Sequence, residues 1–465
     1  MLNNPLKFIG LSALAALLDS LFSKLKQQGI RLLLLLSCSV PNVASACVDL
    51  SSFYPGNEPD WPSLQQQLAG LMSECLESSE FFALYGAAQL NSGQLAGALE
   101  SLERAILINP ENGGARIDYA QALFEEGQLF LALEINEQLL QRTEDLPAGL
   151  ESGLRSRQQN WQALTRQTSF QADLLAGYDN NLNGAPDPGQ ITLTLSGEPI
   201  LLNLNEEFRP ISGPYLNMRL GVRHRQLRPE YQHNWSAEVR SRSSEDSQSD
   251  LLQLASRYAF IKPDREHAWQ ADVGINHLFF GGNPLFTGTE TGGRYQPASG
   301  WYCKPNYSLA LQHQLFHQEN RLNAFESKVG VGISCPASGT TGTQSLSAEV
   351  SLLNNKALKS GRLGGDRQGW QLNLNWQLAL SRGVLRAQLN YTKLEDRQGY
   401  SPLLANGAER RLGRSYVLLQ YREPLPLLGS NASLLFNIYH QRQQSNIELF
   451  RSKDSTAEIG LSWAF

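Results

Sequence analysis

Residues Ser455 to Phe465 alternate without interruption between apolar and small or polar side chains. Ala457, Ile459, Leu461, Trp463 and Phe465 fall on one side; Thr456, Glu458, Gly460, Ser462 and Ala464 fall on the other. Successive side chains of a strand face opposite ways, so the segment has one wholly apolar face and one face of small or polar groups. It also has the length, roughly 9–11 residues, that carries a tilted strand across a bilayer. A terminal strand of this kind, ending on an aromatic, sets the solvent and the compartment to test against the rest of the chain.

Composition fits that expectation without proving it. At 465 residues the chain has room for two domains, and a net charge of −5 makes no electrostatic case for nucleic acid. A mean hydropathy of −0.32 excludes a polytopic helical membrane protein. It does not exclude a barrel, in which only alternate residues meet lipid and the lumen is polar. The reading is therefore an outer-membrane β-barrel protein of a Gram-negative bacterium, in contact with outer-membrane lipid. A soluble β-sandwich or propeller is the alternative, and it would require the apolar faces to meet each other.

Arg31, the apolar run Leu32–Leu36 and Ala44-Ser45-Ala46 read as a secretory signal peptide, residues 1–46, cleaved before Cys47. A lipoprotein site at Leu35–Cys38 and a structural amphipathic helix are the competing readings. Without Cys38, four cysteines remain for an oxidising compartment. Cys303 lies sixteen residues before Glu319 and Cys335 sixteen after it, so a hairpin turning near 317–320 places them opposite each other. Cys47 is then left to pair with Cys75. Both bridges read as structural, since no Cys-x-x-Cys is present.

Between Trp61 and Trp161 the apolar period is helical. Gly93-Gln94-Leu95-x-x-Ala98-Leu99-Glu100 recurs as Gly127-Gln128-Leu129-x-x-Ala132-Leu133-Glu134, offset by 34 residues, the period of tetratricopeptide repeats. Gly86, Gly93, Ala98, Ala105 and Pro110 supply the small residues, tight turn and helix stop that one unit needs; Gly127 and Ala132 repeat the pattern. Helical stretches at 62–79 and 146–165 read as caps. Such an array, residues 47–167, is expected in the periplasm, where it binds a protein partner; the plain alternative is a prop for the barrel.

From Ser169 the period changes to two, and residues 168–465 read as the barrel. Thirteen strands are clear and an even number is required, so fourteen are expected. The fourteenth has no assigned place: loop alternation conflicts between Trp301 and Trp370, and 190–205 also alternates. The stretches 281–300, 355–368, 396–410 and 441–454 read as turn-rich. The fold class is thus a short α-helical tetratricopeptide-type solenoid followed by a transmembrane antiparallel β-barrel.

Chemistry-bearing motifs are missing. The seven histidines are scattered; His313 and His317 share a strand face but stand about 13 Å apart, too far for one ion. No nucleophile elbow, phosphate loop or dinucleotide fingerprint occurs, so neither enzyme activity nor a cofactor is expected.

Ala176-Gly177-Tyr178-Asp179-Asn180-Asn181-Leu182-Asn183-Gly184-Ala185-Pro186 is more distinctive. Its residues favour turns, which accounts for a loop closing the first strand. It also resembles the opening of the barrel domain in the surface lipoprotein assembly modulators, which join a periplasmic repeat domain to a fourteen-stranded barrel. The resemblance implies delivery of client lipoproteins, or of secreted haem- or metal-binding proteins, to the cell surface. It brings no catalytic residues, and insertion would draw on the barrel-assembly machinery. A polysaccharide export porin and a structural or uptake barrel are the alternative functions.

Overall fold

The computed structural model describes residues 47–54, 60–141, 148–263, 267–339 and 342–465. The expected signal segment 1–46 lies outside them. Two compact units result, one ending at Glu151 and the other starting at Ser152.

The first unit holds α1 (Trp61–Leu71), α2 (Ser79–Asn91), α3 (Leu95–Ile108), α4 (Gly113–Glu125) and α5 (Leu129–Leu140). Asp60, Ser78 and Asn112 cap α1, α2 and α4, each accepting from a backbone N–H three residues on. The repeat turns are built alike. Gly93 (φ 77°) and Gly127 (φ 85°) take the left-handed conformation, and Gln94 and Gln128 each donate back to a carbonyl five residues earlier at 2.8 Å. α2 touches α1, α3 and α4, which is why it buries Phe81, Phe82, Leu84, Tyr85 and Ala88 around much of its girth. Gly86 permits the closest approach, since a Cβ there would lie 2.6 Å from Leu102 Cγ. Ala98, Ala105 and Ala132 are wholly buried. Pro110 follows the end of α3. Asn112 adds a tie between the repeats, donating to Ser79 Oγ at 2.9 Å while Ser79 donates to the Ala105 carbonyl at 2.8 Å.

α6 (Ala148–Leu164) leads into β1 (Arg166–Asp179). A hairpin of β2 (Gln190–Leu195) and β3 (Glu198–Asn203) follows, then β4 (Gly213–Leu227), β5 (Gln232–Ser244), β6 (Leu251–Pro263) and β7 (Ala268–Phe280). Next come β8 (Asn283–Gln296), β9 (Lys304–Phe316), β10 (Ala324–Gly339), β11 (Gly342–Ala357) and β12 (Arg367–Ala379). The last four are β13 (Val384–Ser401), β14 (Leu404–Pro424), β15 (Ala432–Ser445) and β16 (Ser452–Ala464). β1 and β4–β16 pair antiparallel in chain order, and β16 returns to β1, which closes a fourteen-stranded barrel. The end where β1 begins and β16 finishes is here the near end; the other is the far end.

The fourteenth strand is β8, inside the stretch 281–300 that reads as turn. Its outward positions are Thr287, Thr289, Thr291 and Gly293, and only Tyr295 supplies an apolar surface. The signal was weak because the residues are small, not because alternation stops. The 190–205 stretch is a hairpin outside the barrel wall, turning at Ser196 (φ 49°) and Gly197 (φ 87°) and bridged to β14 at Leu404–Leu193. Three strands, β9 to β11, fill the interval from Trp301 to Trp370. The stretch 396–410 is likewise mostly strand, because β13 and β14 run past their neighbours at the far end.

Burial is reversed relative to a water-soluble protein. Large apolar groups such as Leu352, Val329 and Ile459 are exposed on the outside, while Asp173, Asn217, Asn437 and Glu458 are at most 3 % exposed inside. The apolar faces do not meet one another, which excludes a sandwich. Outward aromatics gather toward the near end, where Trp269 lies 4.2 Å from Tyr295 and Trp235 5.3 Å from Tyr258 by ring centroid. Such a girdle belongs at a membrane interface. Among the described residues, no helix is long and apolar enough to cross a membrane.

Candidate functional site

Inward side chains give the lumen two unlike walls. Along β6 to β11 the charges are paired: Arg257 Nη2 lies 2.9 Å from both Asp272 and Glu290, Arg294 3.2 Å from Glu349, and Lys328 3.2 Å from Glu326. Along β12 to β15 the lining is amide and arginine. Arg386 donates to Gln377 at 3.0 Å, Arg414 to Gln443 at 2.6 Å, and Gln420 to Asn437 at 3.0 Å. Asn390 donates to Asn373. Over β4 to β8, Gly221, Gly274 and Gly288 leave a recess of about 460 Å³ edged by Arg223, Glu238, Arg257 and Glu290.

The closing seam is held by more than its backbone ladder. Phe170 and Phe465 exchange two backbone hydrogen bonds at 2.9 Å, which extends the β1–β16 pairing by one step. Trp463 stands opposite Ala172 and Ala432. On the lumen side Glu458 accepts from Tyr215 Oη at 2.8 Å, Asn217 at 2.7 Å, Asn437 at 2.9 Å and Tyr439 Oη at 3.0 Å. Those four donors sit on β4 and β15, so one carboxylate ties strands on both sides of the seam. A carboxylate only 2 % exposed requires such saturation, since burying it unpaired is costly. Gly177 makes the reach possible, for a Cβ there would lie 2.6 Å from the Tyr215 ring.

The segment Gly177–Pro186 enters the far end as a built loop. Asp179 accepts from the Asn181 N–H at 2.7 Å. The Asn181 amide donates to the Ala185 carbonyl at 3.0 Å and accepts the Ala185 N–H at 2.9 Å. These are turn bonds, as composition alone implies. The same residues also anchor the loop to the wall. Arg242 of β5 binds Asp179 at 3.0 Å, the Leu182 carbonyl at 2.6 Å and the Ser249 carbonyl at 3.0 Å. Asn180 accepts from Ser455 of β16 at 2.8 Å. Asp179, Asn181, Leu182 and Ala185 are buried in consequence.

A second far-end group surrounds Asp396, which pairs with Arg410 at 3.1 Å and Arg367 at 3.3 Å. Arg362, from the loop after β11, donates to Asn355 at 2.7 Å. Burial pushes the Arg362 guanidinium below its ordinary pKa, while Asp396 opposes the shift.

The sequence-derived site positions stabilise the fold rather than line the lumen. Cys47–Cys75 and Cys303–Cys335 are both bonded, the second one step beyond the Lys304–Ser334 pair of the β9–β10 register. The histidines take outward positions beside aromatics and hydroxyls: His233 lies 2.7 Å from Tyr258 Oη, and His277 and His317 share Thr287 Oγ1 at 2.6 and 2.7 Å. Among the described residues no His, Cys, Asp and Glu group could hold a metal ion. Sequence reading placed Glu458 on the polar face of its strand but gave no role to it, nor to Tyr215, Arg219, Arg242 and the arginines of β13 and β14. The available signal was a charged residue at a small-residue position of an alternating strand.

The tetratricopeptide repeat family model matches residues 89–150. No curated protein matches the chain. Among solved structures, an anion-selective porin from Comamonas acidovorans is 12 % identical with a TM-score of 0.35, covering 64 % of this chain and 99 % of that one. The outer-membrane channel DcaP of Acinetobacter baumannii is 7 % identical with a TM-score of 0.37, covering 65 % and 98 %. Likeness at this level says nothing about what a lumen carries.

Proposed function

We propose that this protein is an outer-membrane translocation factor. In this reading the repeat unit lies in the periplasm and engages a client lipoprotein or secreted binding protein, which the barrel delivers to the cell surface. The role is non-catalytic, and insertion depends on the barrel-assembly machinery. The observation that carries the reading is the Gly177–Pro186 loop, tied by Arg242 and Asn181 into a fourteen-stranded barrel that follows helical repeats. That is the segment resembling the surface lipoprotein assembly modulators. Deleting the gene and labelling intact cells with antibody to a surface lipoprotein encoded beside it tests it: display should fall, and unchanged display rejects the reading.

The amide-and-arginine wall of β12 to β15 favours one other reading, export of a polysaccharide, because amides and guanidinium groups both hydrogen-bond hydroxyl-rich chains. Loss of surface polysaccharide with normal lipoprotein display would select it.

A further inference from the structure

The lumen's charge pattern opposes that of the chain as a whole, whose net charge is −5. Many inward charges cancel in pairs such as Arg219–Asp173 at 2.6 Å. Six wall arginines do not, among them Arg223 at the edge of the recess. The other five, Arg225, Arg240, Arg386, Arg414 and Arg422, donate to Gln167, Asn217, Gln377, Gln443 and Ser462, and among the described residues none of the six has a carboxylate within ion-pair distance. The inward carboxylates without a basic partner are Glu238, Asp454 and Glu458, and Glu458 is buried beneath its four donors. The two sets are also unevenly spread. Arg386, Arg414 and Arg422 belong to two adjacent strands, β13 and β14, whose inward positions between 384 and 394 and between 412 and 422 carry no acid.

We propose that the lumen is an anion-preferring path, with Arg386, Arg414 and Arg422 setting the preference. Fixed cations on the wall of a narrow bore between low-dielectric surroundings raise the local concentration of anions and repel cations. A guanidinium held by a neutral amide keeps its full charge and further N–H groups for a passing carboxylate or phosphate, which a carboxylate-paired arginine does not. The amides beside it hold the side chain in place without neutralising it. The inference rests on the closed barrel alone and not on the translocation reading.

The test is the reversal potential of the purified full-length protein in a planar bilayer, across a tenfold KCl gradient from about 10 to 100 mM, where the screening length is about 30 to 10 Å. The potential should fall on the chloride side of zero. R386Q/R414Q/R422Q should move it to zero or to the potassium side, and R386K/R414K/R422K should keep it on the chloride side. Heat-shifted migration on a gel establishes that each variant is folded, and single Gln variants serve if the triple is not. A wild-type potential at zero or on the potassium side, unaltered selectivity in folded Gln variants, or no conductance overturns the proposal. Failure of the surface-display experiment leaves this measurement unaffected.

Discussion

Tyr215 of β4 donates to Glu458 of β16 at 2.8 Å across Gly177 of β1, joining two strands that are not neighbours in the sheet. The bond spans 243 residues of chain and lies over the seam that closes the barrel. A hydrogen bond to a charged acceptor is worth about 1.5–3 kcal/mol. Tyr215→Phe should therefore lower the temperature at which the barrel loses its folded gel mobility. Glu458→Ala should cost more, because it leaves four donors without their acceptor. Equal mobility midpoints for wild type and both variants would remove the seam role.

Gly177 should be intolerant of a side chain for the same reason. Gly177→Val places methyl groups where the Tyr215 ring lies, and overpacking of this kind costs about 1–3 kcal/mol. Adding Tyr215→Ala should relieve part of the loss. A double variant less stable than the sum of the two singles would refute the packing argument.

Arg242 holds the Asn-rich loop, and its side chain is 17 % exposed while that of Asp179 is 2 %. Removing one partner of a buried pair costs about 3–5 kcal/mol, felt here as local loosening. Arg242→Gln should open residues 180–189 to protease in reconstituted barrels before the strands are cut. A wild-type digestion pattern would show that the loop stands without it.

The Cys47–Cys75 bridge closes a separation of 28 residues onto a fully packed cysteine, 1 % exposed. On a chain-entropy account its loss costs about 3–4 kcal/mol. The Cys47→Ser/Cys75→Ser variant should lose helical signal at a lower temperature, while the barrel transition stays in place. Non-reducing peptide mapping should recover the 47–75 and 303–335 pairs, and a 47–303 or 75–335 peptide would contradict the fold.

Gly86→Val tests the repeat packing, since the nearest obstacle is Leu102 Cγ at 2.6 Å. A loss of about 1–3 kcal/mol in the helical transition is expected. Ala120, at the matching place in the second repeat, carries the Cβ that Gly86 lacks, so Ala120→Gly should have a smaller effect, near the ~1 kcal/mol of helix propensity.

Much of this architecture was legible because it is periodic. A repeat of 34 residues located both turn glycines, and a period of two marked thirteen strands. β8 escaped because threonine and glycine occupy its outward positions, so alternation carried almost no difference in hydropathy. The disulfides were legible because the hairpin symmetry about Glu319 is a property of residue numbers alone.

The lumen was another matter. Local sequence determined which side chains point inward, since strand geometry decides that residue by residue. Which inward side chains meet depends on register between segments tens to hundreds of positions apart. Glu458 finds Tyr215, and Arg242 finds Asp179, only after β16 has closed on β1 and β5 has been placed two strands from it. Alternation therefore determined the wall and its two faces; strand register, and across the seam the closure of the cylinder, decided the contacts on the inner one.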